Sequence, residues 1–245
     1  MKKLIINGDD FGFSRGVNHG IIDAYQEGIL TSTTVLTNMP GANHAYKEAA
    51  SHPGLGVGIH LNLTLGKPML SSHHTIVDEN GLFRKLPFYK GSYKIDAEEI
   101  YVEWKAQIES AITHDLTPTH LDSHHHIHSY PGMPEVFVSL AKEYRLPVRR
   151  VFSQKEDSLF SDLLTAEQFI DDVDILKKTS AELRNDFGQA ETIEIMTHPA
   201  YLDKTLMSHS SYRYPRVDEL SLLMNADIKN KLNDYQLIHY GHLKT

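Results

Sequence analysis

At 245 residues the chain is long enough for one large domain with a substantial core, and a single unit spanning 1–245 is the expectation. A formal net charge of −8 argues against nucleic acid as the main partner, and the absence of Cys excludes disulfides, thiolate metal sites and a cysteine nucleophile, so any metal must sit on His, Asp or Glu. Met1-Lys2-Lys3 leads into an apolar run too short for a signal segment, and no stretch is apolar enough to cross a bilayer. A cytoplasmic protein without a membrane partner is therefore expected.

Leu4-Ile5-Ile6-Asn7 reads as a buried strand stopped by Gly8, with Asp9 and Asp10 just after it. Adjacent carboxylates at a buried strand end repel, so they need a cation or a shared proton. Turn and capping duty would explain them more blandly, but Ser14 is the better cap for a helix carrying Val17, Ile21, Ala24 and Tyr25, with Gly28 as its stop. Thr31 to Leu36 reads as a second strand and Asn43 to Ala50 as a short helix. In the strand Gly56-Val57-Gly58-Ile59-His60-Leu61-Asn62, alternation puts His60 and Asn62 opposite the apolar residues. A histidine alone there would be a hydrogen-bonded core residue; in this company it is a candidate ligand.

Residues 63–95 carry Gly, Pro and Ser punctuation, and a connection of this length is usually a lid or binding loop, or else partly disordered. Phe83, Phe88 and Tyr89 could stack on a sugar or simply anchor the loop. From Asp96, the spacing of Ile100, Trp104, Ile108 and Ile112, helped by Val102 and Ala106, predicts an amphipathic helix. It leads into Thr119-His120-Leu121-Asp122-Ser123-His124-His125-His126-Ile127-His128. If the first half is a strand, His120, Asp122 and His124 share one face, a set of imidazoles and a carboxylate that suits a divalent metal. The cluster is internal and broken by Ile127, unlike an expression tag.

A helix opens over Pro131 to Glu135, with Val136, Phe137, Leu140, Ala141 and Tyr144 as its stripe. Leu146 to Phe152 reads as a strand with Arg149 and Arg150 on opposite faces, one facing carboxylates and the other solvated. Residues 153–190 are polar, with one helix expected around Ala166 to Leu183. Thr192 to Thr197 is strand-like and delivers His198 before Pro199. Helices near Glu219 to Met224 and Asp227 to Asn233 and a strand at Tyr235 to Tyr240 complete the reading. About seven strands alternating with helices, with polar residues at strand ends, favour a parallel sheet in a closed or nearly closed barrel.

Asp9-Asp10-Phe11-Gly12, Gly58-Ile59-His60, the His120 to His128 cluster and His198-Pro199, together with Gly28 to Thr34 and Gly66-Lys67-Pro68, resemble the YdjC-like carbohydrate deacetylases, the group that includes chitooligosaccharide deacetylase. The resemblance implies an irregular α/β (β/α) barrel of about seven strands, similar to polysaccharide deacetylases, acting on N-acetylated sugars or oligosaccharides. It implies a divalent cation on Asp10, His60 and His124, magnesium by resemblance with zinc, manganese or cobalt as alternatives. Asp9 would be the general base, Arg149 its orienting partner, and His198 the second catalytic imidazole, although Ala200 stands where Gly is expected after His-Pro. A homodimer is implied as well. His120, Asp122, His125, His126 and His128 are read as supporting the ligands or touching substrate.

Rival readings keep the metal and change the chemistry. A phosphoesterase or sugar isomerase could use the same barrel, but a phosphoesterase should show more cations than Arg149, Arg150 and Lys67. A non-haem iron oxygenase could draw its two-His, one-carboxylate triad from His120, Asp122 and a distant His, yet it favours antiparallel scaffolds. A non-enzymatic metal- or sugar-binding protein would not need Asp9 held free beside Asp10.

Overall fold

In the computed structural model, which describes residues 1–151 and 157–244, the chain runs β1 (Lys3–Phe11), α1 (Arg15–Gln26), β2 (Ser32–Val35), α2 (Ala42–Ser51), β3 (Gly56–Leu61), α3 (Leu86–Tyr89), α4 (Ala97–Thr113) and β4 (Leu121–Ser123). It continues through α5 (Pro134–Tyr144), α6 (Asp157–Phe160), β5 (Gln168–Ile170), α7 (Ser180–Asp186), β6 (Thr192–Thr197), α8 (Lys204–His209), α9 (Tyr214–Leu223), α10 (Ala226–Lys231) and β7 (Gln236–Leu237). The strands form one curled parallel sheet in the order β4-β3-β2-β1-β6-β5, with β7 paired to the start of β1. The parallel sheet is what the alternation predicts, and its open, curled form is the irregular α/β barrel that the resemblance implies.

Alternation along β1 sorts its side chains. Leu4 and Ile6 join the main core, while Ile5 packs with Ile238 and Tyr240 as a separate apolar plug. Asn7 and Asp9 share the face of Ile5, so the interior of the curled sheet turns polar toward the strand ends. The strand does not stop at Gly8 as expected. A Cβ there would lie 2.7 Å from Leu30 Cδ1, so Gly8 marks a close approach, and β1 continues to Phe11 with Asp9 and Asp10 inside it.

Several other expectations need correction. Leu146 to Phe152 is not a full strand: Val148 makes one parallel bridge to Leu121, and Phe152 lies outside the described residues. Arg150 is half-buried rather than solvated. The helix expected around Ala166 to Leu183 is replaced by β5, a 3-10 turn over Val173–Lys177 and α7, because three residues paired to β6 carry too little periodicity to announce a strand. The last strand shrinks to Gln236–Leu237, extended by the Ile238 N–H donating to Leu4 O at 2.9 Å. In α4, Ile100, Trp104 and Ile108 are fully buried but Ile112 is 38% exposed. Twelve residues at about 100° each put it roughly 120° from Ile100, and Ala111 closes the stripe instead. Glu103 and Gln107 are buried where Val102 and Ala106 were expected to help.

The long connection is ordered. The Glu99 carboxylate accepts from the backbone N–H groups of His74 and Thr75, each at 2.8 Å, and Glu103 accepts from Met69 N–H at 2.9 Å and Leu70 N–H at 3.1 Å. Phe83 and Tyr89 are buried in the core, so these aromatics anchor the loop rather than offering a sugar platform.

Candidate active site at the strand ends

The ends of β1, β3, β4 and β6 surround a cleft of about 550 Å³ lined by Asp9, Asp10, His60, His124, His125, His126 and His198. The long connection supplies one rim through Lys85, Leu86 and Pro87, and Ser210 to Tyr212 supply another. Consecutive residues on a regular strand face opposite ways, yet Asp9 and Asp10 both reach this cleft. The register between β1 and β2 shifts between Gly8 and Phe11, and Asp10 has φ 73°. That left-handed residue costs about 1 kcal/mol, and Asp tolerates it better than most.

Beneath the cleft lies a saturated charge layer. Arg149, fully buried, donates through Nη1 to Asp9 Oδ2 at 2.6 Å and through Nη2 to Asp9 Oδ1 at 2.7 Å. Its Nε donates to Glu194 Oε1 at 2.8 Å, and Nη1 lies 2.9 Å from Asp122 Oδ2. Asn7 Nδ2 adds a bond to Asp9 Oδ1 at 2.8 Å, and the Tyr240 hydroxyl donates to Glu194. Burial pushes the Asp9 carboxyl up, but Arg149 outweighs it and holds the group below the usual carboxylate range. Glu194 goes the other way, because burial there exceeds the pull of Arg149.

Asp10 is treated differently. Its Oδ2 accepts from Arg216 Nη2 at 2.6 Å, whereas Oδ1 lies 2.9 Å from His124 Nδ1 and 3.4 Å from His60 Nε2 with no well-directed hydrogen bond reaching it. Asp122 Oδ1 accepts from His60 Nδ1 at 2.6 Å and so aims Nε2 at the cleft. Burial disfavours the His60 imidazolium, yet Asp122 and the other carboxylates raise its pKa to about 10. Burial likewise pushes Asp10 up, and His124 and Arg216 bring it well below its ordinary value.

One ligand atom each from Asp10, His60 and His124 lies within 4.8 Å of the others. Bonds of about 2.1 Å to one ion put neighbouring ligand atoms roughly 3.0 to 3.4 Å apart, so the observed spacings on Asp10 Oδ1 fit a divalent cation. Among the described residues two other groups converge but fit poorly. In Asp9, His60 and Asp122 the carboxylates are already committed to Arg149. In His19, His44 and Glu48 the amide of Asn18 is fixed by accepting from Gly12 N–H and donating to Gly41 O, so its Nδ2 faces His44 Nδ1 as a donor at 3.0 Å. His44 then keeps its proton on Nε2, toward Glu48 and away from any ligand role.

Within the histidine cluster, β4 ends at Ser123 and a 3-10 turn begins at His124. His125 and His126 have φ 57° and 51°, which turns both toward the cleft while Ile127 is buried. Burial holds both imidazoles down, to about 3. His120 stacks on Tyr240 with centroids 4.0 Å apart, and His128 stacks on Phe137 at 4.4 Å, so neither lines the cleft.

His198 sits on the opposite wall, its side chain 24% exposed, with its ring edge-on to Tyr212 at 5.5 Å. Its backbone N–H donates to Glu219. Burial and Arg216 lower its pKa, with Asp9, Asp10 and Glu219 pulling the other way. Ala200 has no positive φ, and its N–H donates to Arg216 O at 3.2 Å, so this turn needs no glycine.

All six residues singled out from the sequence are thus gathered: five on the cleft and Arg149 immediately below it. Sequence reasoning missed Arg216, Glu194, Glu219 and Tyr240, which are distant in the chain and carry no motif. For Arg216, the expectation that Asp9 and Asp10 need positive charge was a usable signal.

The chain is similar over residues 3–234 to the family described as YdjC-like protein. A protein named carbohydrate deacetylase from Halalkalibacterium halodurans is 44% identical over 226 residues, covering 90% of this chain and 94% of that protein. Another of the same name from Brevibacillus brevis is 40% identical, covering 98% and 99%. A crystal structure from Enterococcus faecalis V583, described as that of a candidate cellobiose-phosphate cleavage protein, superimposes with a TM-score of 0.90 at 34% identity, covering 99% of this chain and 98% of that one. The chain therefore belongs to the YdjC-like protein family.

Proposed function

We propose that this protein is a metal-dependent carbohydrate deacetylase that hydrolyses the acetamide of N-acetylated sugars or oligosaccharides, with Asp10, His60 and His124 as metal ligands, Asp9 as general base and His198 as general acid. The observation that carries the reading is the unequal use of the two adjacent carboxylates: Asp9 is held by Arg149 off the ligand set, while Asp10 Oδ1 meets two imidazoles.

A divalent cation bound there supplies Lewis-acid polarisation of the acetyl carbonyl and makes water easier to deprotonate. Asp9 takes the proton of the attacking water, its orientation fixed at two points by Arg149. The C–N bond breaks as His198, on the far wall, delivers a proton to the departing nitrogen. Burial and Arg216 hold His198 below its ordinary pKa, so once protonated it is a strong donor. Acetate and a free amino sugar are the products.

Lys85 and Arg216 are the lysine and arginine lining the cleft among the described residues, and Arg216 is already paired with Asp10. That is thin provision for a phosphoester and supports the acetamide reading. The resemblance implies magnesium, but two imidazoles and one carboxylate are a donor set better suited to zinc, cobalt or manganese than to a cation that prefers oxygen. Among the described residues no helix is long and apolar enough to cross a membrane. The resemblance further implies a homodimer, which light scattering on the intact chain tests.

The function is tested by incubating the protein with N-acetylated di- and oligosaccharides and measuring acetate and free amine together. Equal release of both is expected. Phosphate release from a sugar phosphate without acetate release would overturn the reading.

A further inference from the structure

Arg216 is 3% exposed and connects the two walls of the cleft. Nη2 donates to Asp10 Oδ2 at 2.6 Å on the ligand side. Nε donates to the Tyr212 carbonyl at 2.8 Å, and the Arg216 carbonyl accepts from Ala200 N–H at 3.2 Å. Tyr212 places its ring against His198, and Ala200 lies two residues after it. The residue that occupies the second oxygen of Asp10 thus also fixes both segments flanking His198.

From this we infer that Arg216 is a positioning residue, which makes Asp10 a one-oxygen ligand directed at His60 and His124 and sets the His198 wall relative to it. The inference rests on the proposed metal site; its His198 part also rests on the deacetylase reading. A buried carboxylate with both oxygens free can swing or bind through both. A charge-assisted bond on Oδ2 removes that freedom and leaves Oδ1 for the ion. The fork matters as much as the charge. One guanidinium serves Asp10 through Nη2 and Tyr212 through Nε, whereas a lysine ammonium is a single point and cannot reach both with the same geometry. Nη1 is buried without a hydrogen-bond partner among the described residues, so Nη2 and Nε carry this guanidinium's side-chain hydrogen bonds there.

The test uses the full chain and two variants, Arg216→Gln and Arg216→Lys, with Mn²⁺ affinity by titration, Co²⁺ absorption for ligand geometry, thermal unfolding, and kcat and KM at saturating metal. The expected result is a folded Arg216→Gln protein with Mn²⁺ affinity lowered about 10- to 100-fold and an altered Co²⁺ spectrum. At saturating metal kcat should fall more than KM rises. Arg216→Lys should recover unfolding temperature but not Mn²⁺ affinity. Wild-type Mn²⁺ affinity in either folded variant would overturn the inference. Loss of folding in both would also overturn it, by showing that the arginine holds the fold rather than the ligand. Failure of the wild-type protein to release acetate would sink the deacetylase reading, while the Mn²⁺ and Co²⁺ arms would still decide the ligand role.

Discussion

Asp9 and Asp10 are neighbours in the chain and equally buried, yet their surroundings are opposite. Asp9 has both oxygens on one guanidinium, with a third donor from Asn7. Asp10 has one oxygen on Arg216 and the other among imidazoles. The difference begins in the backbone: a register shift and one left-handed residue at the end of β1 bring to one cleft two side chains that a regular strand would send apart. Identical chemistry is thereby given two environments, the ordinary way for one residue type to hold two roles.

Removing a ligand from the Asp10 half should have the largest effect. His60→Ala is expected to lose metal to background and turnover by roughly 10⁴-fold or more, read by metal analysis and acetate release together. The Asp9 half should separate these readouts: Asp9→Asn should keep its metal and lose about 10² to 10⁴-fold in kcat. Normal turnover in Asp9→Asn, or metal loss equal to that of His60→Ala, would break the distinction between the two carboxylates.

Below both, the charge layer should matter for stability. Arg149→Met leaves Asp9, Asp122 and Glu194 buried without their shared cation, and urea unfolding should show a loss of about 3 to 5 kcal/mol. A smaller effect comes from imidazoles kept neutral. Burial holds His120 and His128 well below their ordinary pKa. The unfolded chain binds protons there near pH 6.5 and the folded chain does not, so stability falls as pH drops below that value. Each residue's contribution approaches about 1.4 kcal/mol per pH unit only well below pH 6.5 and amounts to roughly 1.2 kcal/mol in all between pH 7 and 5.5, measurable as a falling urea midpoint.

What was legible in the sequence is what strand geometry and motif composition control. The imidazole of His60 and the carboxylate of Asp122 follow from alternation on short strands, and Ser14 from its hydroxyl, which accepts from Val17 N–H at 3.2 Å. Local pattern could not show the end of β1, because Gly8 is there for close packing with Leu30 rather than to end the strand. Nor could it show β5, whose three residues owe their conformation to β6. Arg216 lies in the first turn of α9, where no motif marks it, and only the folded chain brings it to a residue 206 positions earlier.

The most direct test of the account is acetate release by chelator-stripped protein before and after adding back Mg, Mn, Co or Zn, with Asp9→Asn run alongside. Stripped protein should release no acetate, at least one of these cations should restore release, and Asp9→Asn should show no comparable restoration. Undiminished release from fully stripped protein, or metal binding with no release under any cation, would contradict it.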